Sequence, residues 1–125
     1  MNIVEKDLVY KIVGCAMTVH NTLGCGLREK TYERALCLEL ENQELEYNQQ
    51  ARFPVYYLDK KIDEFIPDLI VNNKVIVETK TVENIIDEHR GTLLNYLHHT
   101  KIQVGMIVNF KHSKLDWERL VLTKK

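Results

Sequence analysis

The chain has 125 residues, a formal net charge of −1 and a charged fraction of 28%. This length suits one modest core, so we expect residues 1–125 to form a single domain. The near-neutral charge argues against a strongly basic nucleic-acid binder. No apolar run approaches the roughly 20 residues of a membrane span, and the first residues lack the pattern of a secretory signal.

Three cysteines, Cys15, Cys25 and Cys37, occur without a Cys-x-x-Cys motif. Their odd number disfavours a disulfide framework or a structural zinc site and favours reduced thiols in the cytoplasm. Cys25 with His20 is in principle a pair of metal ligands, but we disfavour this interpretation.

Two helices are predicted at the start of the chain. Apolar residues at helical spacing predict the first helix over about residues 4–23, and Gly24 is placed to end it. After the hinge Gly24–Gly26, a second helix is expected over about residues 27–42, with Gly26 as its N-cap.

The middle and end of the chain predict strands and one further helix. The expected strands are Phe53–Leu58, Ile62–Val71 and Val75–Thr81, then, after a helix over about Asn84–His99, Ile102–Phe110 and an edge strand Leu115–Leu122. The order α-α-β-β-β-α-β-β indicates an α/β (α+β) fold in which helices flank a mixed central sheet.

Asp68, Glu78 and Lys80 are the strongest functional signal. On a strand, Glu78 and Lys80 point to the same face because they are two residues apart. Two carboxylates can hold a divalent cation, and a lysine beside them can support a nucleophile or a charged transition state, which suits a metal-dependent phosphodiesterase. The alternative is a salt-bridge cluster on a solvated strand.

The loop between these strands decides whether the two acids converge. A two-residue loop at Asn72–Asn73 would direct Asp68 and Glu78 to opposite faces. A three-residue loop that includes Lys74 pairs Val71 with Val75 and therefore Asp68 with Glu78. We predict the three-residue loop or an equivalent bulge, since asparagine tolerates the left-handed conformation that such loops require.

Two motifs together carry a resemblance to a known family. Nine residues separate Pro67-Asp68 from Glu78-Thr79-Lys80. The pattern Gly-x-x-Glu-x-x-Tyr is matched by Gly26-Leu27-Arg28-Glu29-Lys30-Thr31-Tyr32. The chain thus resembles the GxxExxY family of the PD-(D/E)XK nuclease superfamily. The resemblance implies a restriction-endonuclease-like core, Mg²⁺ or Mn²⁺ as cofactor, and cleavage of nucleic acid, DNA in preference to RNA.

The resemblance also implies roles for individual residues. Asp68, Glu78 and the backbone carbonyl of Thr79 would ligate the cation, and Lys80 would act on the attacking water or the transition state. Glu29 would bring a further acid from the second helix. Its alternative role is to cap that helix from the third helical position.

Three further residues are weaker candidates. Tyr32 either hydrogen-bonds a site carboxylate or packs in the core. His89, on the inward stripe of the later helix, is either a core residue or part of the site. Thr92 stands where the family often has glutamine, and its shorter side chain weakens support for the site or contact with substrate.

Two functions therefore compete. The first is a divalent-metal nuclease, and the second is a catalytically weak or inactive nuclease-fold module that binds proteins or regulates; metal binding without hydrolysis is a third. A domain this small cuts both DNA strands only as a homodimer or in two steps. The basic residues of the C-terminal third form either a nucleic-acid patch or a solvated surface; they are Lys101, Lys111, Lys114, Arg119, Lys124 and Lys125.

Overall fold

The computed structural model describes residues 4–123. The helices are α1 (Lys6–Leu23), α2 (Glu29–Asn42) and α3 (Asp87–Thr100). The strands are β1 (Tyr47–Gln49), β2 (Phe53–Tyr57), β3 (Lys60–Phe65), β4 (Leu69–Val71), β5 (Val75–Lys80), β6 (Val104–Asn109) and β7 (Asp116–Val121).

Five strands form a mixed sheet in the order β1-β4-β5-β6-β7. The central strands β5 and β6 are parallel, and the other neighbours are antiparallel. Strands β2 and β3 pair with each other as a separate two-stranded hairpin. The predicted fold class, a mixed sheet flanked by helices with a restriction-endonuclease-like order of elements, is confirmed.

The strands before the site are more divided than the sequence indicated. The predicted strand Ile62–Val71 is two strands, β3 and β4, which belong to different sheets. They separate around Pro67, which has no N–H to donate to a ladder. Strand β1 was not predicted, because three residues are too few to show a periodicity.

Helices cover both faces of the five-stranded sheet. The side chains of Val75 and Val77 belong to a core cluster with α1 and α2. Ile76, between them, belongs to a second cluster with Leu93 and Leu97 of α3. Since side chains alternate along a strand, Glu78 and Lys80 follow Ile76 on the α3 side of the sheet.

The hinge between α1 and α2 is longer than predicted. Gly24, at φ 74°, ends α1 as expected, and its N–H donates to the His20 carbonyl over 2.8 Å. Helix α2 begins only at Glu29, with Arg28 as N-cap, so the prediction of Gly26 as N-cap is wrong. Gly26 has φ 109°, a left-handed conformation that suits a hinge. Glu29 is therefore the first helical residue, not the third.

Candidate functional site

The β4–β5 hairpin has the predicted register. Val71 is opposite Val75 and Leu69 is opposite Val77, so the three-residue loop is confirmed. Asn72 and Asn73 adopt left-handed conformations, with φ values of 51° and 55°. Continuing this register one step beyond β4 brings Asp68 opposite Glu78.

At that step, side chains replace the backbone ladder. The N–H of Asp68 donates to Glu78 Oε2 over 2.7 Å. In return, Asp68 Oδ2 accepts hydrogen bonds from the N–H and the hydroxyl of Thr79, over 2.9 and 3.0 Å. The hydrogen bonds found among residues 4–123 therefore occupy one oxygen of each acid and leave Asp68 Oδ1 and Glu78 Oε1 available to a ligand.

The electrostatics of this pair favour a cation. Only 7% of Glu78 is exposed, and burial, followed by the negative charge of Asp68, raises its pKa to about 8. Burial also raises the pKa of Asp68, although the hydrogen bonds from Thr79 act in the opposite direction. Two neighbouring carboxylates whose pKa values are raised by burial are stabilised in their charged forms by a positive ion between them.

Lys80 and Glu29 complete a group of four charged residues. Lys80 is half-buried, and its positive charge lowers the pKa values of Glu29, Asp68 and Glu78. Burial raises the pKa of Glu29. The positive charge of Lys80 lowers this pKa, and the negative charge of Asp68 raises it. The structure thus brings together all four residues that the sequence singled out for catalysis, with Glu29 supplied by the start of α2.

Glu33 is a further acid near the site that sequence reasoning missed. Glu33 is 2% exposed, and its side chain accepts hydrogen bonds from Gln49 Nε2 (2.7 Å), Gln50 Nε2 (3.0 Å) and Lys30 Nζ (3.2 Å). The negative charge of Glu33 raises the pKa of Asp68. Its position one helical turn after Glu29 could have indicated Glu33 as a site residue, because residues four apart share a helix face.

Tyr96 approaches the acids from α3 and was also missed as a site residue. Burial raises its pKa first, and the charges of Glu78 and Asp68 raise it further. Its ring stacks on Phe65, with 4.8 Å between centroids and 14° between planes. Tyr96 lies within the helix predicted over about Asn84–His99, and helical spacing alone carries no signal of a role at the site.

The three weaker candidates make other contacts. The Tyr32 hydroxyl donates to the Gly24 carbonyl over 2.6 Å, and its ring stacks on Phe110, so it packs beneath the hinge. His89 Nδ1 accepts from the N–H of Ile86 over 3.1 Å, which caps the start of α3. Thr92 lies exposed on α3, one turn before Tyr96.

The disfavoured cysteine–histidine site does not form. Cys25 is exposed, whereas buried His20 directs Nε2 to the His112 carbonyl at 2.7 Å. Over residues 4–123, no group of three or more His, Cys, Asp or Glu side chains is arranged to hold a metal. A cation at the Asp68–Glu78 pair would therefore need backbone, water or substrate oxygens as well.

The basic C-terminal third is only partly a surface patch. The guanidinium of Arg119 donates to the Val4 carbonyl, so this side chain turns inward. Lys111 Nζ lies 3.8 Å from a carboxylate oxygen of Glu83. Lys124 and Lys125 lie outside the described residues. Of the helices in the described part of the chain, none is long and apolar enough to cross a membrane.

The donor set fits a hard divalent cation. Along a strand, the N–H and C=O of one residue point to the same side, and the N–H of Thr79 points to Asp68. The Thr79 carbonyl therefore points beyond the end of β4, toward the acids. Two carboxylate oxygens and one carbonyl are ligands suited to Mg²⁺, which keeps several waters in its shell.

Comparison with known proteins identifies a superfamily and a similar fold. A model of the PD-(D/E)XK nuclease superfamily matches residues 6–120. The chain is similar in fold to the crystal structure of SSO0001, with a TM-score of 0.60 and 14% sequence identity over 77% of the chain. It spans half the length of that protein. No curated protein matches the sequence.

Proposed function

The chain belongs to the PD-(D/E)XK nuclease superfamily, and on this premise we propose that it is a Mg²⁺- or Mn²⁺-dependent nuclease. We place it in the GxxExxY family and assign it DNA in preference to RNA as substrate. We further propose that it is a single domain that acts in the cytoplasm, and as a homodimer where both strands are cut.

One observation carries the proposal. Asp68 and Glu78 meet at the open end of the β4–β5 hairpin, interlocked through 2.7–3.0 Å hydrogen bonds, and Lys80 is close enough to lower both of their pKa values. Burying two acids side by side costs stability, which a purely structural salt-bridge cluster would avoid. A cation-binding role accounts for this cost.

The roles of the residues follow from their chemistry. Asp68, Glu78 and the Thr79 carbonyl would hold the cation, which when bound would neutralise phosphate charge and acidify a water. Lys80 lies on the same strand face as Glu78, so its ammonium would orient that water or stabilise negative charge on the phosphate. Glu29, close to Lys80, would hold the lysine in position or accept a proton.

The test is metal-dependent cleavage of a panel of DNA and RNA substrates in Mn²⁺. Asp68→Ala and Lys80→Ala should each reduce cleavage about a hundredfold or more. Glu44→Gln and Lys11→Ala change exposed residues outside this group of four and should leave cleavage unchanged. Undiminished activity in both Asp68→Ala and Lys80→Ala would show that this site is not the catalyst.

A nuclease-fold module without catalysis is the second candidate, and the contacts of α3 favour it. His89 is engaged in capping its helix, and the Thr92 side chain is exposed, so neither supports the acids. This candidate predicts that Mn²⁺ binds at Asp68 and Glu78 while no substrate in the panel is cleaved.

A further inference from the structure

The β2–β3 hairpin exposes an unusual amount of apolar surface. The exposed fractions are 62% for Tyr56, 66% for Tyr57, 79% for Leu58 and 63% for Ile62. The hairpin forms its own two-stranded sheet, so these side chains add little to the core. Clustered exposed apolar side chains at the end of a projecting element indicate a binding surface.

The turn at the tip of the hairpin contains a residue that destabilises it. Leu58 and Asp59 adopt left-handed conformations, with φ values of 49° and 62°, in a two-residue loop. Such turns favour asparagine and glycine, and leucine is strained there. Because this leucine is also mostly exposed, packing does not compensate for the strain, a pattern expected where function selects the residue.

Strand alternation directs Tyr57 toward the site. Val55 is opposite Asp63, whereas the next residue, Tyr56, is opposite Lys61, so the extra residue of this bulge is Ile62 on β3. Strand β2 has no extra residue, so Phe53, Val55 and Tyr57 lie on one face. Because Phe53 is opposite Phe65, Tyr57 shares the face that carries Phe65.

An aromatic row on this face leads back to the acids. The rings of Phe53 and Phe65 stack with 5.3 Å between centroids, and Phe65 stacks on Tyr96. The charge of Glu78 acts on Tyr96, so this ring lies beside the candidate site. The row connects the exposed tip of the hairpin to the candidate cation ligands.

The tip also places a lysine opposite each tyrosine. Tyr56 is opposite Lys61 and Tyr57 is opposite Lys60, and the two pairs lie on opposite faces. Lys61 also forms a salt bridge with Glu64, with 3.2 Å between the ammonium nitrogen and a carboxylate oxygen. Stacking surfaces flanked by cations suit nucleobases joined by phosphates.

From this arrangement we propose that the β2–β3 hairpin is an arm that binds a single-stranded segment of nucleic acid, whose bases stack on Tyr57. The proposal rests on the proposed nuclease function and specifies its substrate class. Strand β2 spans about 17 Å at about 3.4 Å per residue, which matches about five stacked nucleotides. Duplex bases already stack on each other, so the arm discriminates against them.

The test measures binding by fluorescence anisotropy, with the full chain and no added divalent cation, so that cleavage does not interfere. The probes are a labelled single-stranded DNA longer than about five nucleotides and the matching duplex. Tyr57→Ala should weaken single-strand binding at least about fivefold, because each stacked base contributes at this level. Tyr57→Phe should bind like the wild type, and so should Tyr10→Ala, which alters a tyrosine on α1 that is 58% exposed.

Equal single-strand affinity in Tyr57→Ala and Tyr10→Ala would overturn the proposal. So would an equal loss for the duplex, or a change in self-association on sedimentation without a change in oligonucleotide affinity, which would make the hairpin an interface between copies of the chain. Failure of the proposed nuclease function would appear separately, as absence of Mn²⁺-dependent cleavage or as cleavage that both Asp68→Ala and Lys80→Ala leave intact.

Discussion

The two ends of the β4–β5 hairpin differ in what they contribute. At the loop end, Val71 and Val75 are fully buried, and Asn72 bonds the backbone of Glu46 through both its N–H and its side-chain oxygen. At the open end, the ladder stops and the carboxylates of Asp68 and Glu78 take over as hydrogen-bond partners. One end stabilises the fold, whereas the other buries charge that the fold alone does not require.

The largest expected effect is a difference in the free energy of unfolding between variants at the two ends of the hairpin. Leu69, fully buried beside Asp68, contributes only packing, so Leu69→Ala should lower the free energy of unfolding by about 2–5 kcal/mol. Glu78→Gln keeps the shape and the acceptor for the Asp68 N–H but removes the charge, so it should not destabilise the protein at pH 8. Urea denaturation followed by circular dichroism measures both variants, and similar losses would contradict the comparison.

The next effect concerns pH. The pKa of Glu78 is raised from 4.5 to about 8 in the folded protein, so the folded state binds more protons than the unfolded state between these values. The metal-free protein should therefore lose stability as pH rises from about 5 to about 8, by up to about 1.4 kcal/mol per pH unit.

The matched variant isolates the cause of this loss. Glu78→Gln has no carboxyl group to titrate at this position, so its free energy of unfolding should depend less on pH across the same window. Thermal unfolding of both proteins without divalent cations makes the comparison. Equal slopes would show that Glu78 ionises normally and that burial does not constrain it.

The smallest effect lies in the loop. Asn73 has φ 55°, where alanine is disfavoured, so Asn73→Ala should cost about 1 kcal/mol. Asn73→Gly should keep most of the stability, because glycine adopts this conformation without steric strain. Chemical denaturation of the two variants provides the measurement, and an equal loss in both would mean that the asparagine side chain, not the backbone conformation, holds the loop.

Local signals predicted the hairpin and its acids well. Loop length, left-handed asparagines and alternation fixed the register that brings Asp68 opposite Glu78 before any tertiary contact was known. The helices and the central strands were also correct in type and order, because their periodicities are long. The superfamily is confirmed by the match over residues 6–120.

Features that depend on tertiary contacts were harder to predict. Glu33 is held by Gln49 and Gln50, which only the pairing of β1 with β4 brings near α2. Tyr96 reaches the acids because α3 packs across the sheet. The position of the α2 N-cap was wrong, because two left-handed glycines extend the hinge in a way that the motif spacing does not reveal.

Cation binding to the open end of the hairpin tests the central claim most directly. Calorimetric titration with Mn²⁺ at pH 8 should show a single site in the wild type that is lost in Glu78→Gln and in Asp68→Asn but kept in Glu44→Gln, an exposed control. Absence of binding at millimolar Mn²⁺ in the wild type, or binding that survives both site substitutions, would contradict the assignment of these two acids as metal ligands.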